Sequence, residues 1–176
     1  MRIPSLNRNI HSKLASVAII VCASLYCVAA DAAPHVTLNV SKATPRQVEP
    51  LTERAVLRDY KFAWTSLTQA LESSSTAPLN GLFEATADKW LTDAVKDQQR
   101  TGVSSRYANQ SHKVDAVFYS PEGDLIELHD TAEYDLEILD GGKSIHNEHA
   151  IVHYVVLMIP GAERWVVRQL QEVPQF

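Results

Sequence analysis

The last third of the chain alternates in character. Ile126, Leu128, Ala132, Tyr134, Leu136 and Ile138 share one parity; Glu127, His129, Thr131, Glu133, Asp135 and Glu137 share the other. Period two over that length predicts a strand from Leu125 to Asp140, with one face on a core and one in water. Asp140-Gly141-Gly142-Lys143 accepts the positive φ angles of a tight hairpin. The next strand, from about Ile145 to Ile159, carries Ile151-Val152-His153-Tyr154-Val155-Val156-Leu157, apolar on both parities. That pattern predicts a central strand covered on both faces. Pro160-Gly161 turns the chain into a last strand, Arg164–Val173. An earlier strand, Lys113–Tyr119, reaches the first of these through the turn Ser120-Pro121-Glu122-Gly123.

Upstream the period changes to three and four. Val56, Tyr60, Ala63, Trp64, Leu67 and Leu71 predict an amphipathic helix from about Pro50, ended by Ser73-Ser74-Ser75-Thr76. Leu79, Leu82 and Phe83 predict a short second helix. Thr86 caps a third, with Trp90, Leu91, Ala94, Val95 and Gln98 on its inner face and Gly102 at its end. Residues 31–49 contain Pro34 and Pro45, show no clear period and read as a linker, extended in part. The expected fold of residues 50–176 is α+β, with N-terminal helices packed on a strongly curved four-stranded antiparallel sheet.

The start of the chain changes the setting. Arg2, Arg8 and Lys13 precede the uncharged run Leu14–Ala30, and small residues follow. This predicts a secretory signal peptide over residues 1–30, cleaved after Ala30 or Ala32, and a secreted or periplasmic protein. A retained leader would instead hold the domain at the envelope, although the run is short beside the ~20 residues a spanning helix needs. Cys22 and Cys27 both lie in the leader, so the mature chain has no disulfide and depends on an apolar core. The whole chain has 16 basic and 21 acidic residues; without Arg2, Arg8, Lys13 and Asp31 its net charge is near −7. No run of basic residues interrupts that acidity, which argues against nucleic acid or an anionic membrane as partner.

The order of elements resembles the nuclear transport factor two-like superfamily, with its cystatin-like cone. The resemblance covers roughly residues 50–173. It is carried by Tyr60-Lys61-Phe62-Ala63-Trp64, Trp90-Leu91, Tyr154-Val155-Val156-Leu157, and Gly161-Ala162-Glu163-Arg164-Trp165-Val166-Val167 at the entry to the final strand. It implies a cone-shaped domain around a pocket. Members include ketosteroid isomerases, dehydratases and polyketide cyclases, and also non-catalytic domains that bind ligands, dimerise or assist secretion and envelope assembly. Fold alone does not choose among these.

Asp130 is the most informative polar residue, because it shares the apolar parity of Leu128 and Tyr134. A carboxylate on that face is desolvated and suited to general-base work, with Tyr134 as a donor beside it. Two bland readings compete: a bulge that turns Asp130 into water, and a salt bridge to Arg168. Tyr60, Trp64, Trp90, Asp130, Tyr134, His149 and His153 are the candidate ligand-binding residues, with the aromatics equally readable as core. His146, His149, His153 and Glu148 do not make a metal site. Four residues along a strand separate side chains by about 13 Å, and Glu-His-x-x-x-His is not the zincin order. No nucleophile elbow or glycine-rich phosphate loop is present, and no cofactor is expected. The acidic row on the polar parity reads as a solvated face, a guard against edge pairing, or a dock for a basic partner. The sequence thus favours a non-catalytic binding or assembly module, for a small apolar ligand, a protein partner or a second copy. The competing reading is an isomerase, dehydratase or cyclase with Asp130 as base.

Overall fold

The structure, a computed structural model, describes residues 33–176; the expected signal peptide lies outside them. Strands β1 (His35–Asn39) and β2 (Thr44–Pro45) lead into helix α1 (Pro50–Glu72), a 3-10 turn (Ala77–Leu79) and helix α2 (Ala85–Thr101). Four long strands follow: β3 (Val103–Tyr119), β4 (Ile126–Asp140), β5 (Lys143–Pro160) and β6 (Trp165–Val173). The α+β class holds, but the four-stranded antiparallel sheet does not. The sheet has six strands in the order β1-β3-β4-β5-β6, with β2 also on β3. β1 and β2 run parallel to β3, and the other pairs are antiparallel.

The differences have local causes. β1 lies inside the expected linker; it is five residues long and pairs with β3 at Ser111–Asp115, far along the chain, so no neighbouring turn announces it. β3 starts ten residues before the expected Lys113. Its first half is polar and is broken by a bulge between Ala108 and Ser111, where Asn109 takes φ 54°, which defeats a count by parity. The short second helix is only the 3-10 turn. Leu82 lies in the following turn and Phe83 bridges to Val167, whose N–H donates to the Leu82 carbonyl at 2.9 Å. Thr86 does not cap α2: the cap position is Glu84, and the Thr86 hydroxyl donates to the Arg168 carbonyl at 3.1 Å. Gly102 does close α2, in the left-handed conformation (φ 76°) that glycine accepts without a Cβ penalty.

Both helices pack on one face of the sheet. α1 presents Val56, Tyr60, Ala63, Trp64 and Leu67, and α2 presents Ala87, Leu91 and Val95; all are buried. From the sheet come Val114, Ala116, Ile126, Leu128, Ala132, Tyr154, Val156 and Met158. Each fully buried aliphatic side chain contributes about 1.5–3 kcal/mol. Along β4 burial alternates as the sequence predicts from Ile126 to Tyr134; Leu136 and Ile138 are only half-buried, and a bulge after Ile138 turns Leu139 inward. The opposite face of the sheet carries no helix among the described residues. β5 is therefore not covered on both sides, and Ile151 on its outer face is 62% exposed. Among the described residues no helix is long and apolar enough to cross a membrane.

Candidate functional site

Asp130 faces the core, as its parity indicates, and is wholly buried. Register puts it beside Val114 on β3 and Tyr154 on β5. Its oxygen Oδ2 accepts a 2.6 Å hydrogen bond from the Tyr60 hydroxyl on α1. Nδ1 of His112, on β3, lies 2.8 Å from the same oxygen. Three elements thus converge on one carboxyl oxygen. Arg168 is not its partner; it is exposed and stands 3.9 Å from Glu84. His112 was hidden in the polar stretch before the expected strand. The signal was its parity with Val114 and Ala116, which continues the inward face one step back across a polar segment.

Aromatic rings seal this cluster. Trp64 lies against His112 at 4.4 Å between ring centroids and against Tyr154 at 5.5 Å, with Tyr60 edge-on at 6.5 Å. The crevice between Tyr60, Trp64, Phe83 and Val167 admits no water-sized sphere. Tyr134 does not touch Asp130: its hydroxyl is 3.3 Å from that of Tyr154, and its ring packs on Tyr107. Burial, and secondarily Asp130, raises the Tyr60 hydroxyl well above the usual tyrosine range, and burial also raises Tyr134. These phenols keep their protons, and Tyr60 donates to Asp130. Asp130 has no exposed surface, and its Oδ2 links Tyr60 of α1 and His112 of β3 to β4. The cluster is a core fastening between α1, β3 and β4.

The remaining candidates lie elsewhere. Trp90 is 51% exposed, on the side of α2 away from the sheet; the inner face is carried by Ala87, Leu91 and Val95. His149 and His153 share the outer face of the sheet, so they line no interior pocket. His153 Nδ1 meets the Thr131 hydroxyl at 3.2 Å. His149 Nδ1 meets Asp135 Oδ1 at 2.8 Å, and its Nε2 is 3.3 Å from Glu133. Around them the outer face joins the β4 acids to an apolar ridge of Ile151, Val155, Leu157 and Ile159 on β5, set by strand register. Phe176 stacks on His129 at 4.3 Å.

His149 gives a pH test of this face. Its hydrogen bond to Asp135 raises its pKa above the ordinary 6.5. Asp135 is lowered from 3.8, first by the Asn109 amide and then by His149. The histidine's contribution is full below 6.5 and fades as pH rises through its folded value. The aspartate's is present above 3.8 and fades as pH falls through its folded value. The pair is therefore strongest between those limits. NMR titration of the His149 ring should give a midpoint above 6.5, moving down in Asp135→Asn; an unmoved midpoint would show that the contact does not form in solution.

No protein-family model matches the chain, and no curated protein matches it. Solved structures do. The crystal structure of the intermembrane space region of the chloroplast protein ARC6 is similar at a TM-score of 0.53 and 12% identity, covering 73% of this chain and 98% of that one. A Mycobacterium tuberculosis protein of unknown function, Rv3472, aligns at a TM-score of 0.42 and 11% identity over 72% of this chain and 77% of its own. At these identities the likeness is one of fold, and the chain shares its α+β architecture with the ARC6 region.

Proposed function

We propose that this is a non-catalytic assembly domain, exported to the cell envelope or beyond, that pairs with a second copy through the outer face of its sheet. The observation that carries the reading is an inversion: the interior where a ligand would sit is filled, while the outer face has no helix on it among the described residues, only Phe176 against His129 and His153. That face places an apolar ridge on β5 beside the β4 acids, with Lys113 on β3 and His149 and His153 on β5 flanking them. A surface with an apolar centre and both signs of charge can complement itself about a twofold axis. An exported setting fits the leader-like sequence of residues 1–30 and the compartment of the similar ARC6 region. Superfamily resemblance points the same way, since non-catalytic members dimerise and assist envelope assembly.

The test is sedimentation equilibrium on residues 31–176, which hold the whole core cluster. A dimer is expected at micromolar concentration. Ile151→Lys with Leu157→Lys should raise the dissociation constant at least 100-fold, because two charges would be buried at the centre of the contact. A monomer at 100 μM, or a dimer indifferent to both substitutions, rejects the proposal.

A further inference from the structure

On the helix side of the domain, away from the sheet's outer face, Arg58, Lys61, Phe62 and Thr65 of α1 form one stripe, with 58 and 62, and 61 and 65, four residues apart. That stripe turns away from the buried positions Tyr60, Ala63, Trp64 and Leu67. Across from it runs the turn between β5 and β6, and the two enclose an open cleft of about 580 Å³. A second cleft of about 600 Å³ continues past Phe62 and Arg164 along the turn. Asp59 ties the two walls together. It is 3% exposed, accepts the Trp165 backbone N–H at 2.8 Å, and holds the Arg58 guanidinium at 2.7 and 3.0 Å. This pairing holds the guanidinium beside the cleft.

The charge of the first cleft is opposite to that of the chain. Arg58, Lys61 and Arg164 line it against Asp59, which is already paired with Arg58, and the exposed Glu163, leaving a net positive lining in a protein with 16 basic and 21 acidic residues. Lys61 makes no ion pair among the described residues, and Arg164 lies over the Phe62 ring at 5.1 Å. Phe62 itself remains 46% exposed, a large apolar ring in a basic setting. No run in the sequence reveals this cluster, because its cations come from positions a hundred residues apart.

We propose that this cleft is a docking groove for a short acidic segment of a partner protein. Carboxylates of the segment would meet Lys61, Arg58 and Arg164, and an apolar side chain would lie on the exposed part of Phe62. A concave, walled cleft with a central aromatic suits an extended peptide, and charge complementarity speeds and orients its capture.

Fluorescence anisotropy tests this with a labelled eight-residue peptide alternating glutamate and leucine, against a lysine–leucine control, on residues 31–176. The acidic peptide should bind saturably below 1 mM, more weakly as salt rises, and the control should not. Lys61→Glu with Arg164→Glu should weaken binding at least tenfold, and Phe62→Ser should weaken it while keeping the salt dependence. Failure to saturate, equal binding by the lysine peptide, or indifference to the charge reversals overturns the proposal. So does capture of anionic phospholipid vesicles in place of the peptide, lost in the same double variant, which would assign the cations to a lipid surface. Ile151→Lys with Leu157→Lys should leave peptide binding intact, so that failure of the groove and failure of the sheet-face dimer are read separately.

Discussion

Replacing Asp130 by alanine should lower the unfolding free energy by about 2–6 kcal/mol, because it leaves two buried polar groups unpaired. The side chain is wholly buried and serves both the Tyr60 hydroxyl and His112 Nδ1 through one oxygen. Its loss strands two polar groups in a dry core, each costing about 1–3 kcal/mol. Asp130 Oδ1 and His112 Nε2 already have no hydrogen-bond partner among the described residues, so no alternative network stands ready nearby. Asp130→Asn keeps the volume and an acceptor for Tyr60, and its cost should be about half. Urea unfolding followed by circular dichroism measures both; the midpoint should fall while the slope holds. An alanine variant within 1 kcal/mol of the parent would show that the three groups do not form a fastening.

The second large effect separates two tryptophans that the sequence presents alike. Trp64→Ala should cost about 3–5 kcal/mol through lost burial and the cavity left behind. Trp64 is 3% exposed, and the rings of Tyr60, His112 and Tyr154 all close on it. Trp90→Ala should stay within about 0.5 kcal/mol, the range for surface positions away from special features. In a thermal melt the first change lowers Tm by roughly 8–16 °C and the second hardly moves it. Equal effects would contradict the packing of α2, and the reverse order would mean that α2 turns its other face to the sheet.

Those two residues show where sequence reasoning succeeds. Period two along β4 identifies the inward face and puts Asp130 on it, because the core imposes its alternation on the residues up to Tyr134. Period 3.6 along α1 likewise identifies Tyr60 and Trp64. On α2 the same count admits Trp90 at the margin of the stripe, and only the actual rotation of the helix decides, with Leu91 and Val95 inward. The apolar character of β5 on both parities was legible, but its meaning was not. Burial by a second layer and exposure awaiting a partner leave the same mark on a sequence. β1 and the first half of β3 were illegible because their reasons are remote: one strand pairs far along the chain, and the other carries polar residues through a bulge. His112 was lost with that segment, and with it the identity of Asp130's partners. The basic cleft was invisible for a related reason, since folding alone brings Arg164 to α1.

The parallel pairing of β1 with β3 also sets an order of events. Asn39 and its neighbour Asp115 are separated by 76 residues. At a synthesis rate of 5–20 residues per second, β1 exists on the order of 4–15 s before its partner emerges. The hairpins β3-β4 and β4-β5 close through short turns, whereas seating β1 demands a long loop, which is slower. From the emergence of β3 until β1 is seated, the β3 edge stands bare, the kind of edge that recruits stray strands. The strand made first must wait for a partner far along the chain, and until it is seated the growing sheet is open to the wrong neighbour.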